Sequence, residues 1–176
     1  MQSGSNRILK SMNRPYTIEK FISIVRDLRD ACPGIRLSTD VIVGYPGESE
    51  EDFKATKNAF IEAGFEMAFI FKYSIRTGTP AESLLDQIPQ EVKEDRNQIL
   101  LELLEKQSKE SNNSLLGQKV RVLVESIAKK GNGDLMGKTE CFRKVLVKGP
   151  KGLIGQILEV EIEDADTFTL RGALQK

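Results

Sequence analysis

The side chains of this chain that could do chemistry are few, and their types narrow the options. Histidine is absent, and the two cysteines, Cys32 and Cys141, stand far apart in sequence. Imidazole triads, Cys-His pairs and His-ligated zinc are excluded. Two isolated thiols cannot by themselves form a metal knuckle or a CxxC redox pair. Three short segments remain. The first is Asp40-Val41-Ile42-Val43-Gly44-Tyr45-Pro46-Gly47-Glu48, an apolar run entering a Gly-x-Pro-Gly turn just before a helix start at Ser49. Such a turn leaves backbone amides free at a strand end, where α/β folds bind ligands. An ordinary tight strand-to-helix turn has the same pattern. The second is Tyr73-Ser74-Ile75-Arg76-Thr77-Gly78-Thr79-Pro80, polar and cationic, at the end of the next apolar run. The third is Gln2-Ser3-Gly4-Ser5, small and polar, ahead of a helix-like stretch from Arg7 to Met12. Polar groups at neighbouring strand ends would converge on one pocket.

The elements that must position these segments follow from periodicity. Ile18, Phe21, Ile22, Val25 and Leu28 have the spacing of one helical face, with Thr17 as its N-cap and Pro33-Gly34 as its end. Arg36 to Gly44 reads as a buried strand. Ser49-Glu50-Glu51-Asp52 resembles a capping box opening a helix with Phe53, Phe60 and Ile61 inside and Gly64 at its end. Glu66 to Tyr73 is a second buried strand. Glu91 to about Ser111 is a long amphipathic helix with Val92, Ile99, Leu100, Leu103 and Leu104 inward. Helix and strand alternating in this way predict a parallel α/β sheet or part of an α/β barrel.

After the polar stretch Ser108 to Ser114 the rhythm is β only. Val120, Val122 and Val124 alternate with polar neighbours, as do Leu158, Val160 and Ile162, and Phe168 and Leu170 continue the pattern. Turns at Lys130–Asp134 and Gly149–Gly152 separate short strands. Roughly five strands in this length fit a small closed barrel, which leaves no exposed sheet edge. The 26 basic and 26 acidic residues balance overall, yet Lys119 to Lys151 holds nine basic residues against Glu125, Asp134 and Glu140. That block is either a solvated surface or a nucleic-acid footprint. No apolar run approaches the ~20 residues of a membrane span, so a soluble, cytoplasmic chain without a membrane partner is expected.

Three motifs in order carry a resemblance: Gln2-Ser3-Gly4-Ser5 through Met12-Asn13-Arg14, then Thr39 through Glu48, then Phe71-Lys72-Tyr73-Ser74-x-Arg76-x-Gly78-Thr79. Together they resemble the radical-SAM methylthiotransferases. The tRNA-modifying MiaB branch is most similar, on Phe71-Lys72 and on Met136-Gly137-Lys138-Thr139 near Cys141-Phe142-Arg143. The resemblance covers nearly the whole chain. It implies an α/β fold: the C-terminal half of a partial radical-SAM barrel in residues 1–113, followed by a small all-β, OB-like TRAM barrel in residues 114–176. It also implies a transferase that uses SAM and 4Fe-4S clusters to place a methylthio group at C2 of an N6-isopentenyl-type adenosine beside the tRNA anticodon. Threonylcarbamoyladenosine is the substrate of a related branch. The competing readings are a non-catalytic RNA-binding module and an α/β piece that binds phosphorylated small molecules through the Gly44–Gly47 turn.

Site residues follow from the resemblance alone. Ser3 and Ser5 would lie near the SAM ribose or carboxylate, Ile42, Val43 and Gly44 beside its adenine, and Phe71 or Tyr73 opposite. Arg76 suits a SAM carboxylate or an RNA phosphate by bidentate contact, or a rim salt bridge. Glu48 sits one place late for the family pattern and reads equally as a helix-start carboxylate favoured by the dipole. Lys129, Lys130, Lys138, Phe142, Arg143 and Lys144 are the RNA-binding candidates, with Phe142 either a stacking group or a core aromatic. The cluster-binding CxxxCxxC loop is absent. The chain therefore reads as lacking its N-terminal half and as inactive alone. Neither a catalytic residue, a metal ligand nor tight SAM binding is expected of it.

Overall fold

Side-chain caps decide where the helices of the first part begin. Ser5 accepts from the Ile8 amide ahead of α1 (Asn6–Ser11), and Thr17 accepts from the Lys20 amide ahead of α2 (Ile18–Ala31). Ser49 and Asp52 close a reciprocal capping box on α3 (Glu50–Ala63), which ends at Gly64 in the left-handed region. In the computed structural model, residues 1–129 and 134–174 are described. Their packing divides the chain into two units, Met1–Leu104 and Glu105–Lys176, and the division falls inside the last helix, α4 (Gln90–Asn113).

In the first unit β1 (Ser38–Val43) and β2 (Met67–Lys72) pair in parallel, with Ser38 opposite Met67, Asp40 opposite Phe69 and Ile42 opposite Phe71. The start of the chain runs along the other edge of β1, where the Ile42 amide donates to the Gln2 carbonyl at 3.0 Å. Alternation sends Val41 and Val43 into a core with Ile22, Val25, Phe53, Phe60, Phe65, Leu100 and Leu104. The opposite sheet face carries Asp40, Ile42, Met67, Phe69 and Phe71, the last three between 44% and 58% exposed. Two inward assignments need correction. Ile61 is 49% exposed, because the buried stripe of α3 runs through Phe53, Thr56, Phe60 and Ala63, with Ile61 about 100° round from Phe60. On α2 Leu28 is 40% exposed, and the buried residues are Ile22 and Val25.

The second unit is a closed five-stranded barrel of β3 (Lys119–Ile127), β4 (Leu135–Thr139), β5 (Lys144–Val147), β6 (Ile157–Ala165) and β7 (Leu170–Leu174). Neighbours follow the order β3-β4-β5-β7-β6, all antiparallel except β5 with β7. Val122, Val145, Val147, Val160, Ile162 and Leu170 fill it. At Gly137 a Cβ would come within 2.4 Å of the Leu123 carbonyl oxygen, so only glycine lets β4 approach β3 there. Phe168, expected to continue the strand alternation, is 58% exposed. It sits in the β6–β7 turn, where the Asp166 amide closes onto the Thr169 carbonyl.

One carboxylate ties the first segment to the capping box. Ser5 Oγ donates to Asp52 Oδ1 at 2.5 Å, the Ser49 amide donates to Asp52 Oδ2 at 2.9 Å, and Arg7 pairs with the same carboxylate. Burial alone would raise the Asp52 pKa, but the bonds from Arg7, Ser5 and Ser49 outweigh it and lower it from 3.8 to about 2. A depressed carboxylate pKa contributes stability above the unfolded value that is lost as pH falls through the folded one. Asp52→Asn is therefore expected to destabilise the chain by about 1–2 kcal/mol at neutral pH, allowing for the exposure of Arg7. In urea melts the deficit should shrink as pH falls from about 4 towards 2; a deficit independent of pH would contradict this account.

Candidate functional site

The ends of β1 and β2 open onto a cavity of about 720 Å³ lined by Gln2, Asn13, Arg14, Asp40, Ile42, Tyr45, Phe71, Tyr73, Arg76 and Thr79, among others. Its floor is apolar, from Ile42 and Phe71 on paired positions of the sheet. Its rim is cationic: Arg14 and Arg76 are exposed and make no ion pair among the described residues, while Lys72 is held by Glu94 at 3.1 Å. Tyr45 stands edge-on to Tyr73 at 5.3 Å between centroids and donates its hydroxyl to the Ser11 carbonyl at 3.0 Å. The Tyr73 hydroxyl is shut off from solvent and has no hydrogen-bond partner among the described residues. Burial, then the nearby Tyr45 and Glu82, raises its pKa, so it stands as a neutral donor.

The wall behind these residues is a buried ion pair. Glu48 follows the Gly44–Gly47 turn, and its Oε2 accepts from the Gly44 amide at 2.7 Å and from Arg96 Nη1 at 2.7 Å. The two side chains are 0% and 6% exposed. Arg96 also donates to the Glu48 carbonyl at 3.1 Å and lies over the Phe53 ring. Burial raises the Glu48 pKa against the opposing pull of the Gly44 amide and Arg96. One turn earlier on α4, Lys93 reaches the Tyr73 carbonyl at 3.2 Å and lies 5.3 Å from the centre of its ring. Gly44 has φ +70°, and a Cβ there would meet the Lys93 stem at 2.3 Å. Glycine is required on both counts.

The cavity gathers Ile42, Phe71, Tyr73 and Arg76 of the residues singled out from the sequence, and leaves four others out of its lining. Ser3 is 0% exposed with its hydroxyl on Thr56, and Ser5 is committed to Asp52. Val43 points into the core, and Gly44 lies under Lys93. Sequence reading missed Arg14, Tyr45, Lys93 and Arg96 as site-building residues. Asn13-Arg14 had a signal: the turn after α1 places Asn13 at φ 54° and bonds the Arg14 amide to the Leu9 carbonyl. Lys93 and Arg96 had none, since cations on a helix ordinarily read as its solvated face.

On the barrel, Lys138 and Lys144 are directly opposite each other across β4 and β5. Lys138 also reaches Glu125 at 3.2 Å, and Lys144 is exposed. Lys129 is exposed beyond the end of β3, whereas Lys130 lies outside the described residues. Arg143 is 8% exposed; it donates to Asn112 Oδ1 at 2.5 Å and to Ser111 Oγ at 2.8 Å. It is thus set apart from the exposed cations. Phe142 is 75% exposed at φ 59°, so it is a surface aromatic rather than part of the barrel core.

Comparison with known proteins bears on both units. Residues 1–60 match the radical SAM superfamily and residues 113–174 match the TRAM domain. A tRNA-2-methylthio-N(6)-dimethylallyladenosine synthase from Oceanobacillus iheyensis is 48% identical over 99% of this chain and 34% of its own length. Proteins of the same name from Alkaliphilus oremlandii and Legionella pneumophila (strain Corby) are each 47% identical, over 97% and 99% of this chain and 36% and 39% of theirs. Over nearly its whole length the chain is similar to these synthases, and it carries the radical SAM and TRAM matches in one polypeptide. It spans about a third of the length of these relatives. Among solved structures, coproporphyrinogen III oxidase from Escherichia coli, a radical SAM enzyme, superposes with a TM-score of 0.50 at 13% identity. It covers 93% of this chain and 39% of that one, a likeness of fold alone.

Radical-SAM chemistry implies SAM and a 4Fe-4S cluster, and the two fit these residues differently. A cluster takes several thiolates from a local set. Cys32 and Cys141 are exposed and belong to different units, and no group of three metal-ligating side chains occurs among the described residues. The cluster does not fit. The cavity does suit a polar organic ligand with an apolar face, because its lining combines the apolar Ile42 and Phe71 with the exposed Arg14 and Arg76.

The ion pair behind the cavity gives a direct test. Removing one partner of a buried pair strands the other, at about 3–5 kcal/mol. Arg96→Met is expected to lose about that much at neutral pH. Because Glu48 would then be protonated on folding, the loss should diminish as pH falls towards 4. Equal destabilisation by Arg96→Met at pH 4 and pH 7 in denaturant titrations would show that the charge of Glu48 is not what Arg96 answers.

Proposed function

We propose that this chain forms part of a tRNA methylthiotransferase acting in the cytoplasm, its first unit walling a SAM pocket and its barrel holding the tRNA. The observation that carries the reading is the union, in one chain, of a cavity at radical-SAM strand ends with a TRAM barrel on which Lys138 and Lys144 face each other across two strands. The product name of the relatives gives the substrate: a tRNA adenosine bearing an N6-dimethylallyl group, which gains a methylthio group at carbon 2. The anticodon stem-loop is the part of the tRNA engaged. SAM, when bound, supplies the methyl group and the radical initiation that name the superfamily. The thiolates of its cluster come from outside these 176 residues, since two cysteines cannot furnish them.

Within that reading each side chain of the cavity has a task it can perform. Ile42 and Phe71 offer a flat apolar surface for an adenine ring. Tyr73 is held in place beside them by the Lys93 contact and by Tyr45. Arg76 and Arg14 take a carboxylate or a phosphate by paired N–H donors. Ser3, Ser5, Val43 and Gly44 serve the pocket from behind, by fixing the turn and the strand.

On the barrel, Lys129, Lys138 and Lys144 neutralise phosphates, and each contact releases counterions. Affinity of the chain for a tRNA transcript should fall steeply with salt. Lys138→Ala/Lys144→Ala should reduce the slope of log K against log salt by roughly 1–2 and weaken binding to most RNAs alike. Undetectable binding at low salt, or a slope indifferent to the double change, would mean these lysines are only a solvated surface.

A further inference from the structure

We propose that Phe142 is a stacking platform for one unpaired RNA base. This rests on the RNA-binding reading of the barrel and adds to it the form of RNA recognised. Phe142 lies in the tight turn between β4 and β5, at φ 59°. For an L-residue with a bulky side chain that backbone region is a genuine outlier, and glycine would occupy it without strain. The ring gains little from folding in exchange, since the residue is 75% exposed.

The strain is held by its neighbours on both sides. The Phe142 amide donates to the Thr139 carbonyl at 2.9 Å, and the Thr139 amide donates to the Arg143 carbonyl at 3.0 Å. The Arg143 amide donates to Thr139 Oγ1 at 3.1 Å. The Arg143 side chain is itself buried on Asn112 and Ser111. The turn is thus pinned at Thr139 and Arg143, around an aromatic it does not bury. Strained, over-determined residues of this kind cluster at ligand sites.

An independent observation identifies the ligand as a polyanion. The strands that leave this turn carry Lys138 and Lys144 on facing positions. Like charges directly opposite each other across a strand pair destabilise the sheet; Lys138 is answered by Glu125 at 3.2 Å, and Lys144 makes no ion pair among the described residues. A rigid exposed aromatic beside facing lysines is the combination that binds single-stranded nucleic acid, the ring taking a base and the lysines the adjoining phosphates. A duplex keeps its bases stacked inside and cannot use the ring.

The test compares the full chain with its Phe142→Ala, Phe142→Gly and Phe142→Trp variants. The probes are an RNA stem-loop carrying 2-aminopurine in its loop and a fully paired RNA duplex. Phe142→Ala and Phe142→Gly should bind the stem-loop about tenfold more weakly and lose the quenching of the loop fluorophore. Phe142→Trp should restore both, and duplex affinity should stay unchanged throughout. Phe142→Gly should melt at the same temperature as the parent or higher, since it relieves the turn; a clear drop would instead make the ring structural and overturn the proposal. Parent-like stem-loop binding by Phe142→Ala, with Lys138→Ala/Lys144→Ala weakened, would overturn the stacking role while leaving RNA binding intact. Failure of the parent chain to bind either probe would overturn both.

Discussion

Glu48 is the fixed point of the first unit. A carboxylate removed from water must be answered, and here one oxygen is answered twice, by the Gly44 amide and by Arg96. The Gly44 bond sets the turn at the end of β1, so it decides where Tyr45 leaves the strand. The Arg96 bond joins that turn to α4, and α4 carries Lys93 one turn earlier, against the backbone and ring of Tyr73. Tyr45 and Tyr73 are therefore positioned by charges buried behind them as well as by their contacts within the cavity. The other oxygen of Glu48 has no partner, which agrees with a carboxyl whose pKa burial has raised.

The charges of the chain divide by burial more sharply than by sequence position. Asp52, Glu48, Lys93, Arg96 and Arg143 are buried and internally bonded, and each joins segments that the chain separates. Arg14, Arg76, Lys129 and Lys144 are exposed. Only the second group can meet a ligand without first breaking the fold. The guanidinium geometry that would let Arg143 grip a phosphate is used instead to hold Asn112, whose amide donates to the Asp166 and Thr167 carbonyls of the β6–β7 turn.

Much of the architecture was legible because it rests on local rules. The capping box at Ser49, the N-cap at Thr17 and the left-handed Gly64 are one-turn signals, and the alternation of Val120, Val122 and Val124 is a two-residue one. The motif order then located the cavity to the ends of β1 and β2, and Ile42, Phe71, Tyr73 and Arg76 line it. Ser3 and Ser5 fall outside the cavity lining, which the sequence could not show because a small polar segment reads the same whether its hydroxyls meet a ligand or an adjacent helix; Thr56 and Asp52 engage them, and both lie about fifty residues away. Lys93 and Arg96 were invisible for a similar reason. Their burial depends on Glu48 and Tyr73 arriving from other elements.

Phe142 shows the remaining kind of illegibility, in which local and global preferences conflict. A phenylalanine beside alternating valines reads as barrel core, and the left-handed backbone that turns it outward is set by Thr139 and Arg143 rather than by its own preference. Facing lysines on β4 and β5 break a second local rule in the same place. Sequences selected to fold agree with themselves at every level, so neighbouring violations mark a place where something other than folding sets the residue. The Asp52 and Glu48 networks show the contrasting case: their costly groups are buried, answered and spent on the fold. At the β4–β5 turn Phe142 and Lys144 face solvent instead, where a ligand from outside the chain can reach them.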